Sequence, residues 1–131
     1  MTTTVTTRRI TGLKPTGELH LGNLLGAIQP LVRDQYASDS IVLLADLRAL
    51  AAAREPRTLR ETTLRQATVL LAAGLDPDRT LLYAQSQVPD HAELHYLLGC
   101  TTPRKETLQA ADIMLHDATE VAAGDDQRPH V

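Results

Sequence analysis

The sequence predicts an α/β fold, a Rossmann-like doubly wound parallel sheet with helices on both faces, incomplete because only about four strands fit. Short apolar runs alternate with longer segments whose apolar residues recur at helical spacing. One run, residues 41–45 (IVLLA), is apolar throughout. Continuous runs of this kind are typical of a strand buried on both faces of a parallel sheet.

A first strand is predicted at residues 8–12 (RRITG), and a loop rich in glycine, proline and threonine follows it. The loop leads into a helix predicted over about residues 21–36. Within this helix, Pro30 has no N–H to donate, and it predicts a kink or an interruption. The apolar residues at helical spacing are Leu24, Leu25, Ile28, Leu31 and Val32.

The strand at 41–45 is followed by a helix that we expect to begin at a capping box, with Thr58 as N-cap and Glu61 three residues later. Gly74 is expected to end this helix in the left-handed conformation. The predicted buried stripe consists of Leu59, Thr63, Ala67, Leu70 and Leu71.

A third strand is predicted at residues 80–85 (TLLYAQ). Residues 88–90 (VPD) open another helix, whose buried side is expected to carry Leu94, Leu97 and Leu98. A last helix is predicted at about residues 105–116, and we expect no closing strand after it.

Length, charge and cysteine content exclude several classes of protein. A chain of 131 residues corresponds to one domain, which we place at residues 9–131 behind a flexible leader at residues 1–8. A net charge of −3 argues against a free-standing nucleic-acid binder. The single cysteine, Cys100, excludes an internal disulfide and fits a reducing cytoplasm. No signal peptide or membrane span is predicted, so we expect a cytoplasmic protein without a membrane partner.

Residues 12–23 (GLKPTGELHLGN) form the most informative segment. A glycine-rich loop that enters a helix presents free backbone amides and a partial positive charge, which suit a phosphate. His20 can donate a hydrogen bond to a phosphate, Gly22 allows close approach of a flat base, and Asn23 offers a donor and an acceptor. The segment matches neither the Walker nor the GxGxxG pattern, and a plain polar loop is the alternative interpretation.

Two weaker patterns have ordinary explanations. His91 and His95 are four residues apart beside Asp90, but no further ligand follows at a recognisable spacing, so no metal site is predicted. A strip of arginines is better explained as a solvated helix face than as an RNA contact: Arg54, Arg57, Arg60 and Arg65.

PTGELHLGN resembles the HIGH-type signature of class I aminoacyl-tRNA synthetases, and its final asparagine points to the tryptophanyl branch. Three further stretches agree with that family in order and spacing: IVLLADLRAL, GLDPDRTLLYAQSQVPDHAELHYLLGC and AADIMLHDATEVAAGDDQRPHV.

The resemblance implies that ATP, with Mg²⁺ as its counterion, is held by the loop, by the start of the helix and by the GDDQ turn. His20, Lys14 and Asn23 would be the catalytic residues. The implied ATP-binding residues are Lys14, Pro15, Thr16, His20, Gly22, Asn23, Gly124, Asp125 and Asp126.

The resemblance also implies an amino-acid site in which Asp112 accepts the indole N–H of tryptophan. Gln127 would hold the substrate amine, and Gln109 and Arg48 would complete the pocket. Arg48 stands where the family usually has histidine, and Lys105 stands where a tyrosine normally helps to hold the amine. Without the resemblance, Asp112 could be an ordinary solvated helix residue.

The implied reaction is formation of tryptophanyl-adenylate with release of pyrophosphate. The sequence has little of the family's segment between LLGC and AADI, and it contains neither the KMSKS loop nor the anticodon-binding domain. We therefore expect reduced activity and weak or no tRNA binding by this chain alone. The alternative is a weak or inactive paralogue that acts as a binding or regulatory partner, either as a homodimer or with another synthetase.

Overall fold

The computed structural model describes residues 7–17, 19–50, 55–102 and 107–121. A parallel sheet has the strand order β3-β2-β1-β4. The strands are β1 (Arg8–Leu13), β2 (Asp39–Leu44), β3 (Thr80–Ala84) and β4 (Glu120–Val121). The helices are α1 (Leu21–Asn23), α2 (Gln29–Asp34), α3 (Asp46–Ala49), α4 (Pro56–Ala72), α5 (Asp90–Thr101) and α6 (Thr107–Leu115).

The predicted interruption at Pro30 is confirmed. A π-helical turn (Leu24–Ile28) joins α1 to α2, so one helix runs from Leu21 to Asp34. Pro30 lies one residue into α2, directly after the wide turn. A proline has no N–H for the ladder, and its ring crowds the carbonyl four residues earlier, so a locally widened turn accommodates it.

The predicted capping box of α4 is wrong. The helix begins at Pro56, and its N-cap Glu55 is extended and makes no side-chain cap bond. Proline restricts the residue before it to extended backbone and is itself suited to the first helical position. Thr58 therefore lies inside the first turn, where its carbonyl accepts from Thr62 Oγ1 at 2.8 Å. The predicted stop is confirmed, because Gly74 has a φ of +104°.

Helices cover both faces of the sheet, as predicted. On one face, Val42 and Leu44 of β2 pack in a core with Ile28, Leu70 and residues beside them. On the other face, Ile10 of β1 and Leu43 of β2 line a small cavity with Ile113 of α6. Two residues of the predicted buried stripes are instead exposed, Leu71 at 44% and Leu97 at 61%.

A closing strand exists, contrary to the prediction. Glu120 and Val121 pair in parallel with Arg9 and Ile10 of β1. Arg9 also reaches Glu120 at 2.6 Å and Asp34 at 3.1 Å, which ties β4 and the end of α2 to the central strand. Two residues are too few to show an alternating pattern, so tertiary pairing alone reveals this strand.

The N-terminal boundary can be described only in part. Arg8, which we placed at the end of the leader, lies in β1, and residues 1–6 are outside the described part of the chain. Within the described residues, no helix has the length and apolar character needed to cross a bilayer.

Candidate functional site

The strand order reverses direction at β1, which lies between β2 and β4. The chain leaves β1 through helices on one face to reach β2, whereas β4 is reached from α6 on the other face. Ligands of open parallel sheets bind at the carboxyl ends of the strands where the connections diverge in this way. The loop that follows Leu13 and the start of α1 lie at this position.

His20 is the N-cap of α1 and belongs to a complete capping box. Its Nδ1 accepts from the backbone N–H of Gly22 at 3.1 Å, while Asn23 Oδ1 accepts from the backbone N–H of His20 at 3.0 Å. Because Nδ1 accepts, a neutral His20 ring carries its proton on Nε2. The imidazole is exposed, so Nε2–H is a fixed donor at the helix start.

Gly22 is needed here for a reason that the sequence did not reveal. A Cβ at this position would lie 3.0 Å from Cε1 and 3.1 Å from Nδ1 of His20. The ring of His20 thus occupies the space that a side chain at residue 22 would take. The missing side chain leaves room for the cap, and the close approach of a flat base to Gly22 stays a prediction.

The other predicted nucleotide residues are described only in part. Lys14 and Thr16 are exposed after β1, in a turn where the N–H of Thr16 donates to the carbonyl of Lys14 at 2.9 Å, and Pro15 is buried. Gly124, Asp125, Asp126, Gln127 and Lys105 lie outside the described residues.

Three predicted amino-acid residues do come together. Arg48, Gln109 and Asp112 line one cavity, of about 20 Å³, beside Gly12 and Leu43 of the central strands. Arg48 Nη2 donates to Gln109 Oε1 at 3.2 Å, so α3 and α6 are joined across it. A cavity of this size has room for about one water molecule and none for an aromatic ring.

Asp112 is a buried carboxylate, 3% exposed, and it does not lie on a solvated helix face. Its Oδ1 accepts from Gln85 Nε2 at 2.5 Å and lies 2.8 Å from His91 Nδ1. Its Oδ2 is buried without a hydrogen-bond partner among the described residues. Burial raises the pKa of Asp112 to about 6, against the lowering effects of the Gln85 hydrogen bond and the Arg48 charge.

A family model for class I tRNA synthetases (W and Y) matches residues 2–107. The chain belongs to this family. It is 38% identical to tryptophan–tRNA ligase 2 of Streptomyces avermitilis, over 95% of this chain and 45% of that protein. The chain thus spans about half the length of the curated relatives it matches.

Solved structures confirm the predicted fold class. Tryptophanyl-tRNA synthetase from Campylobacter jejuni superimposes with a TM-score of 0.89 at 32% identity, covering 95% of this chain and 46% of that one. A second structure of that enzyme, complexed with ADP and tryptophan, superimposes with a TM-score of 0.88 at 30% identity, covering 94% and 46%.

In this synthetase-family chain, a buried polar network extends from Asp112, and sequence reasoning missed it. The Tyr83 hydroxyl lies 2.7 Å from His91 Nε2 and 2.5 Å from His116 Nε2. Burial lowers the pKa of both histidines and raises that of Tyr83. The three rings are therefore held as neutral hydrogen-bonding groups.

The sequence contained one signal for this network. His91 was considered only as a partner of His95 for a metal, yet His95 Nδ1 contacts Thr107 Oγ1 at 2.7 Å instead. No cluster of three metal-ligating side chains occurs in the described parts of the chain. Tyr83 aligns with Leu43 in the sheet, which places it on the face that carries the cavity.

Proposed function

We propose that this chain is the ATP- and tryptophan-binding part of a tryptophan–tRNA ligase and that it forms tryptophanyl-adenylate with release of pyrophosphate. The observation that carries the proposal is the buried Asp112 carboxylate, with one oxygen unpartnered, in a cavity at the divergence of the sheet connections. A buried, unpartnered oxygen can accept one hydrogen bond from a ring N–H. A ligand without that donor binds less tightly, because the oxygen then stays buried without a hydrogen bond. The names of the relatives and the ADP and tryptophan complex of the Campylobacter jejuni enzyme support the choice of ligands.

In this proposal the ATP phosphates lie at the start of α1. The Nε2–H of His20 donates to a phosphate oxygen, and the exposed ammonium of Lys14 offsets the phosphate charge. Asn23 acts by holding His20 in the cap. Pro15, Thr16, Gly22, Gly124, Asp125 and Asp126 remain proposed nucleotide residues, and Mg²⁺ would accompany the triphosphate.

Tryptophan would enter the cavity lined by Asp112, and its indole N–H would donate to Oδ2. Because the cavity is too small for an indole, the hydrogen bond between Arg48 and Gln109 must open as the ligand enters. Gln127 remains a proposed partner of the substrate amine. The pocket is thus proposed to close on its own side chains when it holds no amino acid.

The chemistry then needs no protein nucleophile. The tryptophan carboxylate attacks the α-phosphate, a P–O bond forms, and the bond to pyrophosphate breaks with its electron pair. The chain's contribution is to align the two substrates and to stabilise the charge that moves onto the phosphates through His20, Lys14 and the amides of α1.

Tryptophan-dependent exchange of labelled pyrophosphate into ATP tests this activity. We expect exchange by the chain and a loss of about 100-fold or more in the double variant His20→Ala, Asn23→Ala. Gly26→Ala is the matched control, because a Cβ there meets nothing within 4 Å. Equal exchange by the chain and the double variant would remove the proposed activity.

The remaining assignments are also proposals. We propose that residues 9–131 act as one nucleotide-binding core in the cytoplasm and that the chain alone binds tRNA weakly or not at all. Pairing with a second copy or with another synthetase is compatible with the same site. Binding of both ligands without exchange would favour the alternative, a regulatory paralogue.

A further inference from the structure

The two oxygens of Asp112 have different surroundings. Oδ1 accepts a hydrogen bond from Gln85, the residue after β3, and it lies 2.8 Å from His91 Nδ1 in the first turn of α5, a close contact that is not aligned as a hydrogen bond. Oδ2 is as deeply buried but has no partner among the described residues. The carboxylate is therefore held from one side, and its second oxygen is left as the acceptor.

The Gln85 side chain has one workable orientation. An ionised carboxylate only accepts hydrogen bonds, so the amide must present its Nε2–H₂ to Asp112. This leaves Gln85 Oε1 buried and unpartnered among the described residues, which costs free energy. The Gln85 side chain thus orients Asp112 through Nε2, while its own Oε1 is left without a hydrogen bond.

His91 is held in place by a hydrogen bond with Tyr83. It is fully buried, and its Nε2 meets the Tyr83 hydroxyl, which in turn meets His116 Nε2. If Tyr83 donates to His91 Nε2, the proton of the neutral His91 ring lies on Nδ1, the atom 2.8 Å from Asp112 Oδ1. The opposite order would set a nitrogen lone pair against the carboxylate.

We infer that Gln85 and His91, the latter through Tyr83, are positioning residues that fix the Asp112 carboxylate so that Oδ2 alone faces an aromatic ring N–H. The inference rests on the proposed tryptophan site and deepens it. The residues set the selectivity of the pocket for an N–H donor over an isosteric ring without one. They touch neither substrate.

The test compares tryptophan with benzothienylalanine, in which sulfur replaces the indole N–H, by calorimetric titration of the chain. We expect wild type to prefer tryptophan by on the order of 100-fold, and Gln85→Met to reduce this ratio to about tenfold or less. Thr63→Val is the matched control. Thr63 is buried on α4, and its Oγ1 donates to the Leu59 carbonyl of the same helix, so the ratio should be unchanged.

The outcomes separate the two proposals. An unchanged ratio in Gln85→Met, with both affinities reduced equally, would show a merely structural role and overturn the positioning inference alone. Failure of wild type to bind tryptophan would overturn the proposed function and this inference with it. If circular dichroism shows that Gln85→Met does not fold, Tyr83→Phe replaces it in the test. This variant removes the hydroxyl that contacts His91 Nε2, and the same fall in the ratio of the two affinities is expected.

Discussion

Replacing Asp112 with asparagine should make the protein more stable and worse at binding tryptophan. The side chains have the same shape, and the amide oxygen can still accept from Gln85 Nε2. The substitution removes the buried charge, which is what burial penalises. The side chain at this position therefore works against folding at neutral pH.

The magnitude follows from the pKa of Asp112, about 6 against an ordinary 3.8. At about 1.4 kcal/mol per pKa unit, the ionised carboxylate costs about 3 kcal/mol relative to the neutral acid. The folded state binds more protons than the unfolded state between these two pKa values, so wild-type stability falls as pH rises through that window. Asp112→Asn should match wild type near pH 4 and exceed it by about 1–3 kcal/mol above pH 7.

Urea denaturation followed by circular dichroism between pH 4 and pH 8 measures this difference. His91 Nδ1 lies 2.8 Å from Asp112 Oδ1, so its titration changes with the substitution, and the stability difference is compared above pH 7, where burial, which lowers the pKa of His91, keeps the ring neutral. Tryptophan affinity should fall at least about tenfold in parallel. A substituted protein that is less stable at pH 8, or a difference that does not change with pH, would refute the argument.

Three further predictions concern neighbouring contacts. Gly22→Ala should displace the His20 ring, costing about 1 kcal/mol in urea denaturation and weakening ATP binding, whereas Gly26→Ala should lower neither stability nor ATP affinity. Arg9→Met should lower the free energy of unfolding by about 1 kcal/mol because it breaks two ion pairs, while Arg33→Met, at an exposed site, should cost under about 0.5 kcal/mol. Gln109→Ala should raise tryptophan affinity severalfold in calorimetry by freeing Arg48 and widening the cavity; unchanged or weaker binding would contradict a closed pocket.

The parts of the fold that follow from local patterns were predictable. Residues 41–45 are apolar throughout and lie at the centre of the sheet, apart from Ala45 just beyond β2. Gly74 stops α4 because only glycine adopts its φ of +104° without strain. The loop before α1 was recognisable because glycine, proline and threonine are concentrated in it.

The candidate site was predictable where a resemblance supplied single residues, and it was incomplete where their partners mattered. Arg48, Gln109 and Asp112 were named beforehand and do line one cavity. Gln85 and His91, which hold Asp112, lie 27 and 21 positions away in the sequence, and no local pattern links them to it.

Sequence alone determined the positions of β1, β2, β3 and the longer helices, because hydrophobic spacing acts over one or two turns. Tertiary structure alone decided that β4 exists, that Pro56 begins α4, and that Asp112 is buried with one oxygen held and the other unpartnered. Burial and hydrogen bonding depend on which elements pack together. Contacts between residues far apart in the chain set the pKa of a carboxylate and the direction it faces.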